Sequence, residues 1–478
     1  MSSDSRVNSA QKKNMRLRLD FNHAMAEAVG TQGIAYDELS ALSDRCAQID
    51  SELRTRRVSG ELPFYELPYQ DVGKILDFVE THRDRFDAFV GVGIGGSALG
   101  SIALHTALRH PYHNQLTSRQ RNGAPKMFFP DNVDPDRLKG LFETLNPART
   151  LFSVITKSGS TAETMSTFLL VREWLMERLG DGWREHVVVT TDAEKGDLRT
   201  IAKREGLPAF EVPDGVGGRF TVLTSVGLLS AAFSGIDIQG LLDGAAAMDR
   251  RMQECDPMEN PAYVDACLHY LFDMNQDKRL SVMMPYVHAL KDVADWYRQL
   301  WAESLGKKHA LDGTIVHAGP TPIKALGATD QHSQIQLYVE GPFDKVITFL
   351  AVDRYQSALT FPPAYEDLGS LGYLGGHSMS ELIQAERMAT EFALTRAGRP
   401  NLTITLPEVN PFTVGQLLYM LEVQTVFSGG LYNINPLDQP GVEAGKQATY
   451  ALMGREGYEE KRAEIEAFDR QRDARYRM

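Results

Sequence analysis

Two short stretches of the sequence concentrate hydroxyl and ammonium donors beside glycine, each directly after an apolar run. In AFVGVGIGGSALG, Ala88 to Gly100, the residues Phe89, Val90 and Val92 have strand character, and Gly93, Gly95 and Gly96 let the backbone turn tightly and approach a ligand. Ser97 stands where a helix begins and is expected to cap it, so that free N–H groups and the positive end of the helix dipole face an anion. The second stretch follows the apolar run Leu151 to Ile155 and sets Thr156, Lys157, Ser158, Ser160 and Thr161 around Gly159. Either loop alone reads equally well as a solvated, Ser/Thr-rich helix start. Two such loops after two consecutive strands point instead to a small phosphate ester. Gly91, Gly93 and Gly96 also fit G-x-G-x-x-G, but no acidic residue closes a second strand about 20 positions on, which weakens a dinucleotide reading.

Acid–base candidates lie further along. Trp296, Gln299 and Glu303 are spaced i, i+3 and i+7 and share one helix face, with Gly306 ending the helix soon after. A carboxylate partly shielded by Trp and Leu suits a group that must both take and return a proton, although an exposed helix glutamate is the commoner case. Arg219 is a lone cation between a glycine pair and an uncharged helix in GVGGRFTVLTSVG, and taken alone it reads as the partner of a surface acid. His332 opens an amphipathic stretch, and Lys446 follows a turn-rich loop, where it would act as a point cation or proton donor. His377 and Glu381, at i and i+4, have no third metal ligand nearby, so no metal site is expected.

The elements that must position these groups alternate. From Ala88 to about Ile238, apolar strands at Ala88–Gly93, Lys126–Phe129, Leu151–Ile155 and Val187–Thr191 are separated by helical patterns, one of them ending at Leu179 before Gly180. A second alternating region carries Leu280–Pro285, a helix over Asp292–Leu305, Lys345–Val352, a helix over Met379–Ala397, Leu402–Leu406 and a helix over Phe412–Phe427. This is the pattern of an α/β protein with two lobes, each a parallel sheet flanked by helices, with ligands at the carboxyl ends of the strands. The expected division is a helical segment over 1–85, a first lobe over 86–240, a helical linker over 241–278, a second lobe over 279–430, and a lysine loop with a charged helix over 431–478.

Composition sets the outer limits. A chain of 478 residues exceeds what one core normally supports, which again favours two lobes. A net charge of −13 argues against nucleic acid and anionic membrane as partners, so a phosphate must be held by local donors. The longest uncharged apolar run, Phe220 to Ile236, is too short and too rich in Ser, Thr and Gly to span a bilayer. The basic, polar N-terminus has no apolar core of the secretory kind, and the three cysteines, Cys46, Cys255 and Cys267, lack metal spacing and read as reduced thiols of a cytoplasmic protein.

The blocks GIGGSALG, TKSGSTAET, VGGRF, LWAESLGK, TDQHS and NPLDQPGVEAGK, in this order from about Phe89 to Gln447, resemble the glucose-6-phosphate isomerase family. One departure is Leu437, where the family's pattern usually has an aromatic; Gly372–Glu386 and the charged tail match no block. The resemblance implies two sugar-isomerase (SIS) type lobes, a homodimer with shared active sites, and aldose–ketose isomerisation of a sugar phosphate in glycolysis and gluconeogenesis without metal or cofactor. It implies phosphate contacts from Gly96, Ser97, Thr156, Lys157, Ser158 and Thr161, and sugar or water contacts from Gln299 and Gln439. Glu303 would move a proton between carbons 2 and 1 through a cis-enediol, Arg219 would face the developing oxyanion, and His332, reaching in from the partner subunit, would open the ring with Lys446. Two rival classes stay open on the residues themselves: another sugar-phosphate isomerase or lyase on the same lobes, and a non-catalytic sugar-phosphate sensor.

Overall fold

A computed structural model describes residues 15–478; the basic N-terminal stretch discussed above falls mostly outside them. Its strands are β1 (Arg18–Asp20), β2 (Ala88–Val92), β3 (Lys126–Phe128), β4 (Thr150–Ile155), β5 (Val187–Thr191), β6 (Ala209–Glu211), β7 (Leu280–Pro285), β8 (Lys307–His309), β9 (Ile315–Ala318), β10 (Thr321–Lys324), β11 (Lys345–Val352) and β12 (Asn401–Leu406). They form two five-stranded sheets, β3-β2-β4-β5-β6 and β1-β12-β11-β7-β10, and a small antiparallel pair β8-β9. The first sheet is parallel throughout, with Val90 opposite both Phe128 and Phe152. The second is parallel except for β1, where Leu19 pairs antiparallel with Ile404.

Strands buried on both faces explain the continuous apolar runs: β2, β4 and β5 are buried at every position, as is β11. The N-terminal segment, read as helical, does contain the helix Ser43–Val58, but it opens with β1 on the edge of the second sheet. Nothing in the local sequence Arg-Leu-Asp announces a strand; the free edge of β12 recruits it.

The helix Pro411–Leu431 is buried on nearly every side, packed among the helices Ser43–Val58, Ile238–Glu254, Pro261–Gln276 and Lys291–Leu305. That burial suits its largely apolar sequence, whose apolar residues run all round the helix with no amphipathic stripe. It packs against the helix Ile238–Glu254 at close range. A Cβ at Gly244 would lie 1.9 Å from the Phe412 carbonyl oxygen, and one at Gly415 would lie 2.0 Å from that of Leu241, so glycine is what lets the two backbones meet. The helix Leu99–Leu108 of the first lobe packs against Lys291–Leu305 of the second. No described helix is long and apolar enough to cross a membrane. The cysteines are free, with Cys46 and Cys267 buried and their sulfurs 3.3 Å apart.

The central helix also carries Glu422, fully buried, with neither carboxylate oxygen bonded to any described residue. Burial raises its pKa well above the ordinary 4.5. A raised folded-state pKa means that the unfolded chain ionises first, so stability is lost as pH rises above about 4.5. Glu422→Met is therefore expected to stabilise the protein by about 1–3 kcal/mol, the cost of a buried polar group left without a partner. Denaturant melts at pH 5 and pH 8 check this: the gain should be larger at pH 8, and a loss of stability at both would contradict it.

Candidate active site

The site forms where the carboxyl ends of β2 and β4 face the C-terminal end of the helix Lys291–Leu305. Arg219 sits at its centre, in a short 3₁₀ turn Gly218–Phe220, and only 3% exposed. All its nitrogens are engaged. Nε donates to Ser304 Oγ at 3.0 Å, Nη1 to Glu303 Oε2 at 3.0 Å and to Gln439 Oε1 at 2.9 Å, and Nη2 to the carbonyls of Pro436 at 2.9 Å and Asp438 at 3.3 Å. The expectation of a surface ion pair for this arginine does not hold, because its turn is folded into the seam between the lobes. Burial pulls its pKa below the ordinary value against the opposing pull of Glu303, yet a guanidinium stays charged.

Glu303 is half-buried, with Oε1 accepting from Gln299 Nε2 at 3.1 Å and Oε2 from Arg219. Gln299 in turn reaches the first glycine loop, since a Cβ at Gly95 would stand 2.9 Å from its Nε2. The glycine requirement at Gly96 is equally specific: a Cβ there would lie 2.1 Å from the Gly218 carbonyl oxygen. Thr221 Oγ1 donates to the carbonyls of Gly96, at 3.1 Å, and Gly218, at 2.8 Å, locking the glycine loop to the arginine turn.

Ser97 does not cap the following helix. It completes a 3₁₀ turn Gly95–Ser97, and the helix Leu99–Leu108 starts from Ala98, which has no capping side chain, because three glycines postpone the regular helix by two residues. In the second loop Thr156 Oγ1 lies 2.8 Å from Thr161 Oγ1, and Ser158 Oγ lies 3.4 Å from both, so three hydroxyls converge. Thr161 precedes the helix Ala162–Leu179 without bonding its amides, which remain directed at that cluster. Lys157 turns aside and donates to the Val216 carbonyl at 2.8 Å, bracing the loop against the arginine turn.

His332 and Lys446 stand apart. His332 is exposed beyond the turn Thr329–Gln331, and Lys446 donates to Glu443 at 2.8 Å on the helix Glu443–Leu452. Among the described residues no hydrogen bond joins either to the Arg219–Glu303 pair. Glu381 proves to be the capping-box carboxylate of Ser378, and no described group of three ligands could hold a metal.

Sequence reasoning missed Lys307, which is buried. Its Nζ donates to the carbonyls of Glu303 at 2.5 Å and Ser304 at 3.0 Å, and lies 3.7 Å from Asp438 Oδ1. It thus closes the helix end under Glu303 and ties it to the loop that holds Arg219. The signal was present: Lys307 is one helical turn after Glu303, at the helix end where cations are favoured. Burial, followed by the charge of Arg219, lowers its pKa to about 8.

Fold and site together define a two-lobed α/β isomerase of sugar phosphates. The phosphoglucose isomerase family model matches residues 78–470. The chain is 47% identical over 454 residues to glucose-6-phosphate isomerase of Carboxydothermus hydrogenoformans, covering 94% of this chain and 97% of that one. It is 52% identical over 371 residues to that of Rubrobacter xylanophilus, covering 77% and 83%. A Thermus thermophilus structure described as a hypothetical protein superposes with a TM-score of 0.81 at 35% identity, over 92% of this chain and all of that one. A Chlamydia trachomatis glucose-6-phosphate isomerase shares the fold, with a TM-score of 0.78 at 21% identity over 98% and 94%. The chain belongs to the phosphoglucose isomerase family, and it interconverts glucose 6-phosphate and fructose 6-phosphate.

Because Lys307 positions Glu303 and the Asp438 loop, Lys307→Met is expected to lower kcat about 10- to 100-fold, the worth of hydrogen bonds from one charged donor, with little change in KM. In the parent the ammonium charge is lost as pH rises through about 8, so kcat should decline there, and the decline should be missing in the variant. A kcat–pH series on both proteins checks this; unaltered kcat in the variant would assign Lys307 to stability alone.

Proposed function

We propose that isomerisation is carried out by Glu303 as the single base, with Arg219 facing the oxygen on which charge develops. The observation that carries this is the bracketed carboxylate: one oxygen is held by Arg219 and the other by Gln299, with the side chain still one-third exposed. A carboxylate fixed in this way keeps lone pairs free towards solvent and can serve two adjacent carbons without turning. Glu303 takes the proton from carbon 2 of the open aldose. The electron pair forms the carbon 1–carbon 2 double bond of a cis-enediol as the carbon 1 oxygen gains a proton. The protonated Glu303 then returns its proton to carbon 1 while the carbon 2 hydroxyl loses its own, leaving the ketose. A guanidinium fixed by five bonds stabilises the transient negative charge without reorganising.

The phosphate is held by the hydroxyls of Ser97, Thr156, Ser158 and Thr161 and by amides of the loop at Gly96, with Lys157 contributing charge from its brace on Val216. Gln439 orders sugar or water beside Arg219. His332 and Lys446 open the ring, and His332 does so in the partner's site, so the working unit is a homodimer acting in the cytoplasm. Two features support the shared site: His332 has no bond to Glu303 within its own chain, and the neighbouring Leu337 is 57% exposed.

Glu303→Gln is expected to bind sugar phosphate normally, to lose isomerisation by a factor on the order of 10³ or more, and to stop incorporating solvent deuterium at carbon 2. Refolded together with the inactive His332→Ala chain it should recover about a quarter of parental activity, since half the dimers are mixed and half their sites intact. Parental exchange in Glu303→Gln would remove it as the base. No recovery in confirmed mixed dimers would place each site within one subunit.

A further inference from the structure

The second sheet repeats the winding of the first. Strands β10-β7-β11-β12 follow the same order as β3-β2-β4-β5: the chain steps from the first strand to one side, then crosses back to the other. Each sheet therefore has a switch point, between β2 and β4 in the first lobe and between β7 and β11 in the second, and open α/β sheets bind ligands at that crevice. In the first lobe the two loops leaving the switch point are the glycine loop and the hydroxyl loop of the active site. Their counterparts in the second lobe are Tyr286–Leu290, after β7, and Asp353–Ser357, after β11.

Those two counterpart loops line a cavity of about 460 Å³, well within the size range of small-molecule sites. Its apolar wall includes Val287, Ala289, Val352, Ile383 and Val409, and its polar groups include Arg109, His288, Arg354, Gln356 and Ser380. No aspartate or glutamate lines it, although the chain as a whole carries a net charge of −13. The loops are held in place without a ligand: Tyr355 O–H donates to the Tyr286 carbonyl at 2.6 Å, and Gln356 Nε2 donates to that of Val409 at 2.9 Å. Arg109 is tethered by one nitrogen to the Gly235 carbonyl at 3.2 Å, while its Nε is buried with no partner among the described residues. Arg354 pairs with Glu408, which stands outside the lining.

We propose that this crevice is a second ligand site, separate from the active site, for a small organic anion: a phosphate or carboxylate head met by Arg109 and Arg354, with an apolar or ring-shaped body against the Val287–Ile383 wall. A cationic, carboxylate-free pocket in an acidic protein selects for anions, and the apolar wall excludes a bare ion as the best occupant. The site also borders the machinery of isomerisation. His288 opens the turn that leads into the helix of Gln299 and Glu303, and the Tyr286 hydroxyl lies 2.8 Å from Gln331 Oε1, next to His332.

Phenyl phosphate supplies the head and the body in one probe. Titrated calorimetrically into the full-length protein with fructose 6-phosphate saturating the active site, it is expected to bind, and inorganic phosphate is expected to bind at least tenfold more weakly. Arg109→Leu combined with Arg354→Leu should weaken phenyl phosphate at least tenfold while leaving kcat/KM for fructose 6-phosphate unchanged. Ser380→Trp, which fills the cavity from its rim without removing a charge, should do the same and guards against misfolding of the double variant. Absence of binding under saturating fructose 6-phosphate, equal affinity for inorganic phosphate, or undiminished binding in Ser380→Trp would each overturn the proposal. So would protection of the crevice by a second copy of the chain in hydrogen exchange of the dimer.

Discussion

One buried guanidinium holds the site together. Arg219 binds the helix that carries Glu303 and Ser304, the loop Pro436–Gln439, and through its own turn the glycine loop at Gly96. These segments are far apart in the chain and belong to both lobes, so a cation withdrawn from water enforces their meeting: each donor left unbonded would cost a large part of its desolvation. Lys307 adds a second buried cation on the opposite side of the same helix end, and Asp438 answers it. Arg219, Lys307, Glu303 and Asp438 therefore form a compact group of two cations and two carboxylates. An arginine suits the centre where a lysine would not, because its planar fork can serve three directions at once.

Much of this was legible in the chain. The fully buried strands β2, β4, β5 and β11, and β7 beyond Leu280, announced themselves as apolar runs, since a strand buried on both faces has no polar alternation to hide it. The converging hydroxyls of Thr156, Ser158 and Thr161 were equally visible, because they lie within six consecutive residues. What local sequence did not reveal depended on distant partners. Strand β1 and the short edge strand β6 carry charged residues and exist because a sheet edge accepts them. The contacts of Arg219 with Gln439 and Pro436 span more than 200 residues and needed the fold. Lys307 was overlooked although it lies within a block already singled out, because a lysine beside glycine at a helix end looks like an ordinary surface cation.

The shared winding of the two sheets gives the molecule two switch-point crevices with different contents. The first is polar, glycine-rich and open to backbone approach; the second is walled by Val and Ile and rimmed by arginine. The helix Lys291–Leu305 runs between them, starting beside the second crevice and ending at Glu303 in the first. It is packed into the core along Trp296, Tyr297, Leu300 and Trp301, each buried.

The claim that geometry at Arg219, and not charge alone, drives the chemistry is tested most directly by steady-state kinetics of Arg219→Lys, with folding verified by circular dichroism. Lysine keeps the positive charge but cannot hold Glu303, Gln439 and Ser304 together. The expected result is a fall in kcat of about 10²-fold or more, the scale seen when a pre-organised donor to developing charge is removed, with KM for fructose 6-phosphate changed by less than about threefold. A kcat within about threefold of the parent in the folded variant would contradict the account.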